Sequence, residues 1–414
     1  MPSLQPVRGT HDLLPADARR HNHVVDIARA VVARYGYEEI ATPIFEFTEV
    51  FQRTLGDTSD IVTKEMYTFT DRGGEQITLR PEATAGIARA FISGGLAQHV
   101  PLKYFCAGPM FRFERPQKGR LRQFHQIDVE LLGFAEPLGD VEVIAAAADV
   151  LQSLGVLDKT TLELNTLGDA ESRTAYRTVL VDYLKGYLAR LSEDSRGRLE
   201  RNPLRILDSK DPNDRAIIAD APVFTDYLTP AARDFFARVC GGLDALGIGY
   251  SVNPRLVRGL DYYCHTAFEF TTIELGAQGA VIAGGHYDGL IELMGGPPTP
   301  GIGWAGGIER LAMLAGIDPA APRPIAVVPI GETAEAAALA IAARLRRAGF
   351  AVDLGFKGNL KRRMKQANKV NAAAALLLGD DELQRKVATL RDMTSGTQVE
   401  IPLDGLETAL AGYR

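Results

Sequence analysis

Residues 111–130, FRFERPQKGRLRQFHQIDVE, constrain the fold more than any other stretch of the chain. Side chains alternate across a strand, so its two ends read as antiparallel strands and its middle as the connecting loop. In the first strand Arg112 and Glu114 share one face, and Phe111 and Phe113 the other. In the second, Gln126, Asp128 and Glu130 share a face opposite Ile127, Val129 and Leu131. The loop RPQKGRLRQ carries Arg115, Lys118, Arg120 and Arg122 and no acid. A strand pair with carboxylates and an amide on one face, tipped by cations, suits a substrate that is both polar and polyanionic.

A chain of 414 residues predicts two or three domains. No apolar run is long enough to span a bilayer, and no targeting segment is evident at the N-terminus. Cys106, Cys240 and Cys264 lie far apart without a CxxC pair, which points away from a disulfide framework or a thiolate zinc site and toward a reducing cytoplasm. The net charge of −6 confines any nucleic-acid surface to a local patch. The spacing predicts a helix over 17–35 stopped at Gly36, then an extended YEEIATPIFEF containing Pro43. It next predicts a hairpin over 66–80 turning at 71–74. A helix starts after Pro81, placing Glu82 and Thr84 at its N-terminus, where a capping role and a ligand role are both open. An amphipathic helix (141–156) and the strand TTLELNTLG follow, then a helical insertion over 169–235. The β-pattern resumes at 250–274 and at AVIAGGHYDGL. A linker at 315–324, bearing Pro319, Pro322 and Pro324, leads into alternating strands and helices that read as a small α/β domain with a largely parallel sheet. Its second helix, KGNLKRRMKQANK, holds Lys357, Lys361, Arg362, Arg363, Lys365 and Lys369 without an acid. Such a run is ordinarily a solvated face, but in a net-acidic chain it is a phosphate-backbone candidate.

Gly301, Gly303 and Gly306 form a GxGxxG match, but no hydrophobic strand precedes it and no acid follows at the required distance. The glycines read instead as a strand passing close to a flat ligand and opening the helix of Glu309 and Arg310. The seven histidines show no metal-ligand spacing, so no metal ligands are expected. The segment 284–289 is either a tight hairpin turn or a substrate loop. Arg258 and Tyr263 have opposite strand parity and share a site only if Gly259 breaks the strand.

Taken together, RGTHDLLP, YGYEEIATPIFE, TLRPEATAG, the 111–133 stretch, LVRGLDYY, AGGHYDGL and GIGWAGGIERL resemble the histidyl-tRNA synthetase family, class II aminoacyl-tRNA synthetases, over essentially the whole chain. The resemblance implies an α+β fold: a class II antiparallel sheet flanked by helices over 1–320, with 169–235 as a helical insertion, and an anticodon-binding α/β domain over 324–414. It implies a homodimer through the 35–46 stretch, and activation of L-histidine by ATP to histidyl-adenylate with transfer to the 3′ end of tRNA(His). Glu82, Thr84 and Gln126 would hold the α-ammonium of histidine, Glu130 and Tyr263 its imidazole, and Tyr262 and Tyr287 would line that pocket. Arg112 and Arg258 would grip the ATP α-phosphate as the catalytic pair, and Arg120 and Arg310 the outer phosphates, with Mg²⁺ bridging phosphate oxygens. The Lys361, Arg362, Arg363 and Lys365 face would meet tRNA. Phe113, Ala83 and His286 depart from the residues most frequent in the family at those positions. The alternative is the catalytically inactive relative that serves as a regulatory subunit of ATP phosphoribosyltransferase. That relative typically lacks the C-terminal domain and the arginines kept here.

Overall fold

The computed structural model describes residues 3–55, 61–117, 119–258, 262–276, 279–355 and 357–414. Lys118, Gly259 and Asp261 lie outside them. Two compact units, 1–319 and 320–414, each have a hydrophobic core of their own. In the larger, α1 (Pro15–Ala33) buries Val24, Ala28, Val31 and Val32 at helical spacing, and Gly36 follows at φ +81°. After β1 (Glu38–Glu39), β2 (Phe45–Phe47) and α2 (Thr48–Leu55) comes the expected hairpin, β3 (Tyr67–Thr70) and β4 (Gln76–Leu79), which with β2 makes a three-stranded sheet. Asp71 Oδ1 accepts the Glu75 N–H at 2.9 Å and pins its turn. The chain then enters α3 (Thr84–Ser93).

The next strands, β5 (Leu102–Phe111) and β6 (Gln123–Leu132), pair antiparallel over their full lengths. The first strand therefore starts earlier than the sequence pattern indicates and ends at Phe111, leaving Arg112 and Glu114 beyond it. Arg112 still donates its N–H to Arg122 O at 3.0 Å, so the pairing outlasts the strand by one bond. Helix α4 (Pro137–Ser153) and β7 (Thr161–Thr166) follow.

A helical segment comprises α5 (Ala170–Lys185), α6 (Glu193–Arg201) and α7 (Pro212–Ile218), packed around Tyr176, Leu184, Leu199 and Phe224. Helix α8 (Pro230–Ala245) crosses position 235 and packs against α4. A Cβ on Gly242 would lie 2.5 Å from Val141, so only glycine allows that approach.

Strands β8 (Ser251–Val252), β9 (Cys264–Thr271) and β10 (Ala280–Tyr287) precede α9 (Leu290–Leu293), β11 (Gly301–Gly307) and α10 (Ile308–Ala315). The expected strand over 250–274 is thus interrupted: the described residues between Val252 and Cys264 are irregular. Residues 284–287 form neither a tight turn nor a loop; they lie inside β10. The large sheet runs β1-β5-β6-β11-β10-β9-β7-β8 and is antiparallel except for the edge pairs β1–β5 and β7–β8. Its central register aligns Glu130 with Gly303, Gly303 with Gly285, and Gly285 with Ala267. Helices α1, α4 and α8 share with the sheet a core that includes Trp304, whose indole N–H donates to Val143 O at 3.0 Å. No helix among the described residues is long and apolar enough to cross a membrane.

The smaller unit holds β12 (Ile325–Pro329), α11 (Thr333–Arg347), β13 (Val352–Leu354), α12 (Leu360–Lys369), β14 (Ala374–Leu378), α13 (Asp380–Gln384), β15 (Val387–Asp392), β16 (Gln398–Pro402) and α14 (Leu406–Ala409). The parallel order β13-β12-β14 agrees with the alternating pattern, but β15 and β16 add two antiparallel strands, so the sheet is mixed.

Candidate active site

One cleft in the larger unit gathers side chains from β6, β10, β11, the start of α3 and the irregular segment before β9. It encloses about 1180 Å³ of space including its open mouth. It is lined by every residue named above for histidine and for ATP.

One end is acidic. Glu130 is 2% exposed; its carboxylate accepts from Thr84 Oγ1 and Tyr287 OH, each at 2.5 Å. Burial pushes its pKa up to about 8, against the pull of those two hydrogen bonds. Glu82 fulfils the capping reading of its position and also lines the cleft. Its carboxylate accepts the Thr84 and Ala85 N–H groups, each at 2.8 Å, as a helix cap. Burial again holds its pKa above the ordinary value. Asp128 is raised further, by burial first and then by Glu130 and Glu82. Gln126 Oε1 and Asp128 Oδ2 are buried without a partner. Three buried acids and two orphaned acceptors favour a ligand bringing positive charge or N–H donors.

The glycines of β10 and β11 make this end possible. A Cβ on Gly303 would sit 1.9 Å from Glu130 Oε2, one on Gly301 2.2 Å from the Tyr287 ring, and one on Gly285 2.8 Å from the Tyr263 ring. The GxGxxG stretch is therefore a strand, as expected, but its close neighbours are the protein's own side chains.

The other end is cationic. Arg112 donates Nε–H to Pro81 O at 2.9 Å and lies over the Phe124 ring. Arg120 pairs with Glu114 at 2.6 Å, so the basic loop is answered by an acid just before it. Arg310 is anchored through Gly119 O at 3.0 Å and Ala280 O at 2.8 Å. Burial, and then repulsion from Arg120, lower its pKa. Arg258 lies over the Tyr263 ring, ion-paired with Glu269, and its buried Nε has no partner among the described residues. Neither Arg258 nor Tyr263 belongs to a strand, so strand parity does not separate them. Sequence reasoning missed Glu269, the acid that fixes Arg258. Its signal was a lone carboxylate in the apolar CHTAFEF strand. It also missed Glu309 as the clamp of His125, accepting its backbone N–H at 3.1 Å and meeting Nδ1 at 2.8 Å.

In the smaller unit, Lys361, Arg362 and Lys365 are exposed on α12, but Arg363 is buried. Its guanidinium donates to Pro329 O and pairs with Glu335 at 2.6 Å, so it holds α12 against β12 and α11 and is removed from the set of nucleic-acid-facing cations.

The family model described as histidyl-tRNA synthetase matches residues 9–311, and that described as anticodon binding domain matches 324–412. The chain is 62% identical to the histidine–tRNA ligase of Rhodospirillum rubrum, covering all of both chains. It is 58% identical to that of Gluconacetobacter diazotrophicus, covering 100% of this chain and 99% of the relative. Its structure is similar to that of apo S. aureus histidyl-tRNA synthetase, with a TM-score of 0.84 and 34% identity over 98% of this chain and 99% of the other.

Proposed function

The chain belongs to the histidyl-tRNA synthetase family, and on that premise we propose how its cleft divides the work of charging tRNA with histidine. The acidic end takes the amino acid. Glu82, Thr84 and Gln126 receive the α-ammonium, while Glu130 and Tyr263 face the imidazole nitrogens and Tyr262 and Tyr287 wall the pocket. The cationic end takes ATP, with Arg112 and Arg258 at the α-phosphate and Arg120 and Arg310 on the outer phosphates. The observation that carries this reading is the polarity of a single cleft, with three buried carboxylates at one end and four arginines at the other.

Attack of the histidine carboxylate on the α-phosphate brings two anions together. Fixed guanidinium groups where charge accumulates lower that barrier without a general base. Glu269 keeps Arg258 aimed while its unpartnered Nε remains available to a ligand oxygen. The acids at the cationic end are already engaged: Glu114 by Arg120, Glu269 by Arg258, Glu309 by His125. Mg²⁺ would accordingly arrive with the nucleotide, held by phosphate oxygens and water, supplying charge neutralisation. A buried site that satisfies imidazole N–H groups rejects analogues lacking them by ~10⁴–10⁵-fold, which makes separate editing unnecessary.

The unit 1–319 would be the catalytic core carrying the helical insertion, and 320–414 would bind the anticodon arm through Lys361, Arg362 and Lys365. A homodimer through the 35–46 segment is supported by Phe45 and the neighbouring Phe47 on β2, both about half exposed. A cytoplasmic location completes the reading. The regulatory-subunit alternative is disfavoured by the identity to ligases along the whole chain and by the retained arginines. Histidine-dependent ATP–pyrophosphate exchange followed by tRNA charging tests the proposal; pure protein that fails to exchange with histidine, ATP and Mg²⁺ refutes it.

A further inference from the structure

Behind the acidic end of the cleft, β9 and β10 bring together a second set of groups that the reaction does not use. Cys264 Sγ lies 3.5 Å from Asp288 Oδ2, and His286 Nε2 lies 2.9 Å from Asp288 Oδ1. One donor atom from each of these three residues falls within 4.8 Å of the others. His265 Nε2 approaches Asp288 Oδ2 at 3.6 Å, and its buried Nδ1 has no partner.

We propose that Cys264, His286 and Asp288 form a binding site for a thiophilic divalent cation, Zn²⁺ by the chemistry of its donors, with water completing the coordination. A thiolate, an imidazole and a carboxylate supply three corners of a tetrahedral zinc set, too soft for Mg²⁺ or Ca²⁺. Bonds of ~2.0–2.3 Å at tetrahedral angles separate ligand atoms by roughly 3.3–3.7 Å. The Cys264–Asp288 distance of 3.5 Å fits that separation, and His286 Nε2, 2.9 Å from the other Asp288 oxygen, would draw back by a few tenths of an ångström. His286 already points the right way, because its Nδ1 meets Asp140 Oδ1 at 2.8 Å, which directs Nε2 toward Cys264 and Asp288. Asp140 is fully buried, whereas the Asp288 side chain is 49% exposed and gives an ion a way in.

The backbone is bent to build the cluster. The β9–β10 register shifts between Gly285–Ala267 and His286–Cys264, and inside that bulge His265 adopts φ +44°, an uncommon conformation for a residue with a side chain. The ring of Phe235 stacks on His265 with centroids 4.5 Å apart and holds it there. No spacing rule could find this set, because its halves lie on two strands and meet only through the register. On binding, the Cys264 thiol and the imidazole nitrogen facing the ion lose their protons to solvent, and metal–sulfur and metal–nitrogen bonds form without any redox change. The ion would clamp β9 to β10 one residue from Tyr263 and one residue from Tyr287, rigidifying that wall of the histidine pocket.

The full-length protein, stripped with a chelator, is titrated with Co²⁺ as a spectroscopic probe and with Zn²⁺ as competitor. The expected result is one equivalent bound, with a thiolate-to-cobalt charge-transfer band displaced by Zn²⁺ and a raised melting temperature. Cys264→Ser should abolish the band, Cys106→Ser and Cys240→Ser should keep it, and Asp140→Asn should weaken Co²⁺ binding by ~10–100-fold. If Cys264→Ser does not fold, the half-exposed Asp288→Asn carries the test, with a loss of affinity of at least about tenfold expected. Absence of a band, a band that survives Cys264→Ser, or unchanged affinity in Asp288→Asn overturns the proposal. The cluster would then be an imidazolium of His286 clamped between two carboxylates.

Discussion

Glu130 is the residue at which function and stability pull hardest against each other. Its unfolded carboxyl titrates near 4.5 and its folded one at about 8, so between those values the native state holds the proton that the unfolded state has released. Its contribution to stability is therefore full below the unfolded value and is lost as pH rises through the folded one. Glu82 and Asp128 shift in the same direction. The ligand-free protein should melt at progressively lower temperature from about pH 5 to about pH 8, and Glu130→Gln should flatten part of that decline. The same variant should lose the improvement in KM for histidine that ionisation gives the wild type as pH approaches the Glu130 pKa. A decline equally steep in the variant would remove Glu130 from the account. At the other end of the cleft, Arg258→Ala should slow adenylate formation by ~10²-fold or more, as expected for a group stabilising transition-state charge. Pyrophosphate exchange measures this directly, and unchanged kinetics would exclude the assigned role.

At the scale of elements, β11 is a strand selected for the side chains it lacks. Gly303→Ala should drive the Glu130 carboxylate out of place, abolish histidine-dependent exchange, and destabilise the unit by about 1–3 kcal/mol through overpacking. Gly197, inside α6 with nothing within 4 Å of an added Cβ, is the control: Gly197→Ala should be neutral or stabilising by up to ~1 kcal/mol. Thermal melts and exchange assays separate the two outcomes. On α12, reversing Lys361, Arg362 and Lys365 to Glu should weaken tRNA binding and make its salt dependence shallower by roughly one unit of slope for each phosphate no longer neutralised. Exchange should be untouched. Arg363→Ala should instead cost stability, about 1–3 kcal/mol, because it leaves Pro329 O without its buried donor.

The contrast between Arg362 and Arg363 shows what the sequence could and could not reveal. Helical periodicity placed α12 and its charge, but which cation turns inward depends on β12 and α11, which the local pattern does not contain. The same holds for the large sheet. Alternation located β6 and the hairpin of β3 and β4, since each strand's pattern is local. The alignment of Glu130 with Gly303, and through it with Gly285, rests on β6 pairing with a strand more than 150 residues away in the chain. Residues 284–287 read as turn or loop because Gly-Gly is a turn signal on its own. In the sheet, those glycines make room for Tyr263 and Trp304.

At the scale of the molecule, separate cores in 1–319 and 320–414 predict two unfolding transitions. Histidine with ATP should raise only the transition of the larger unit, by about 2.7 kcal/mol at a hundredfold excess over Kd. Calorimetry checks this, and a shift of both transitions by the same amount would mean that the units do not unfold independently. The acid-free face of α12 within a chain of net charge −6 also predicts that tRNA association slows steeply with ionic strength, while histidine binding does not.

The chain has one tryptophan, Trp304, on β11, 2% exposed, its indole packed in the helix-facing core on the face of the strand opposite Gly303 and Glu130. Selective indole excitation therefore yields an optical signal from a single strand. Its emission should follow the unfolding of 1–319 and not that of 320–414, so the protein carries its own probe for telling the two transitions apart, with no label to attach.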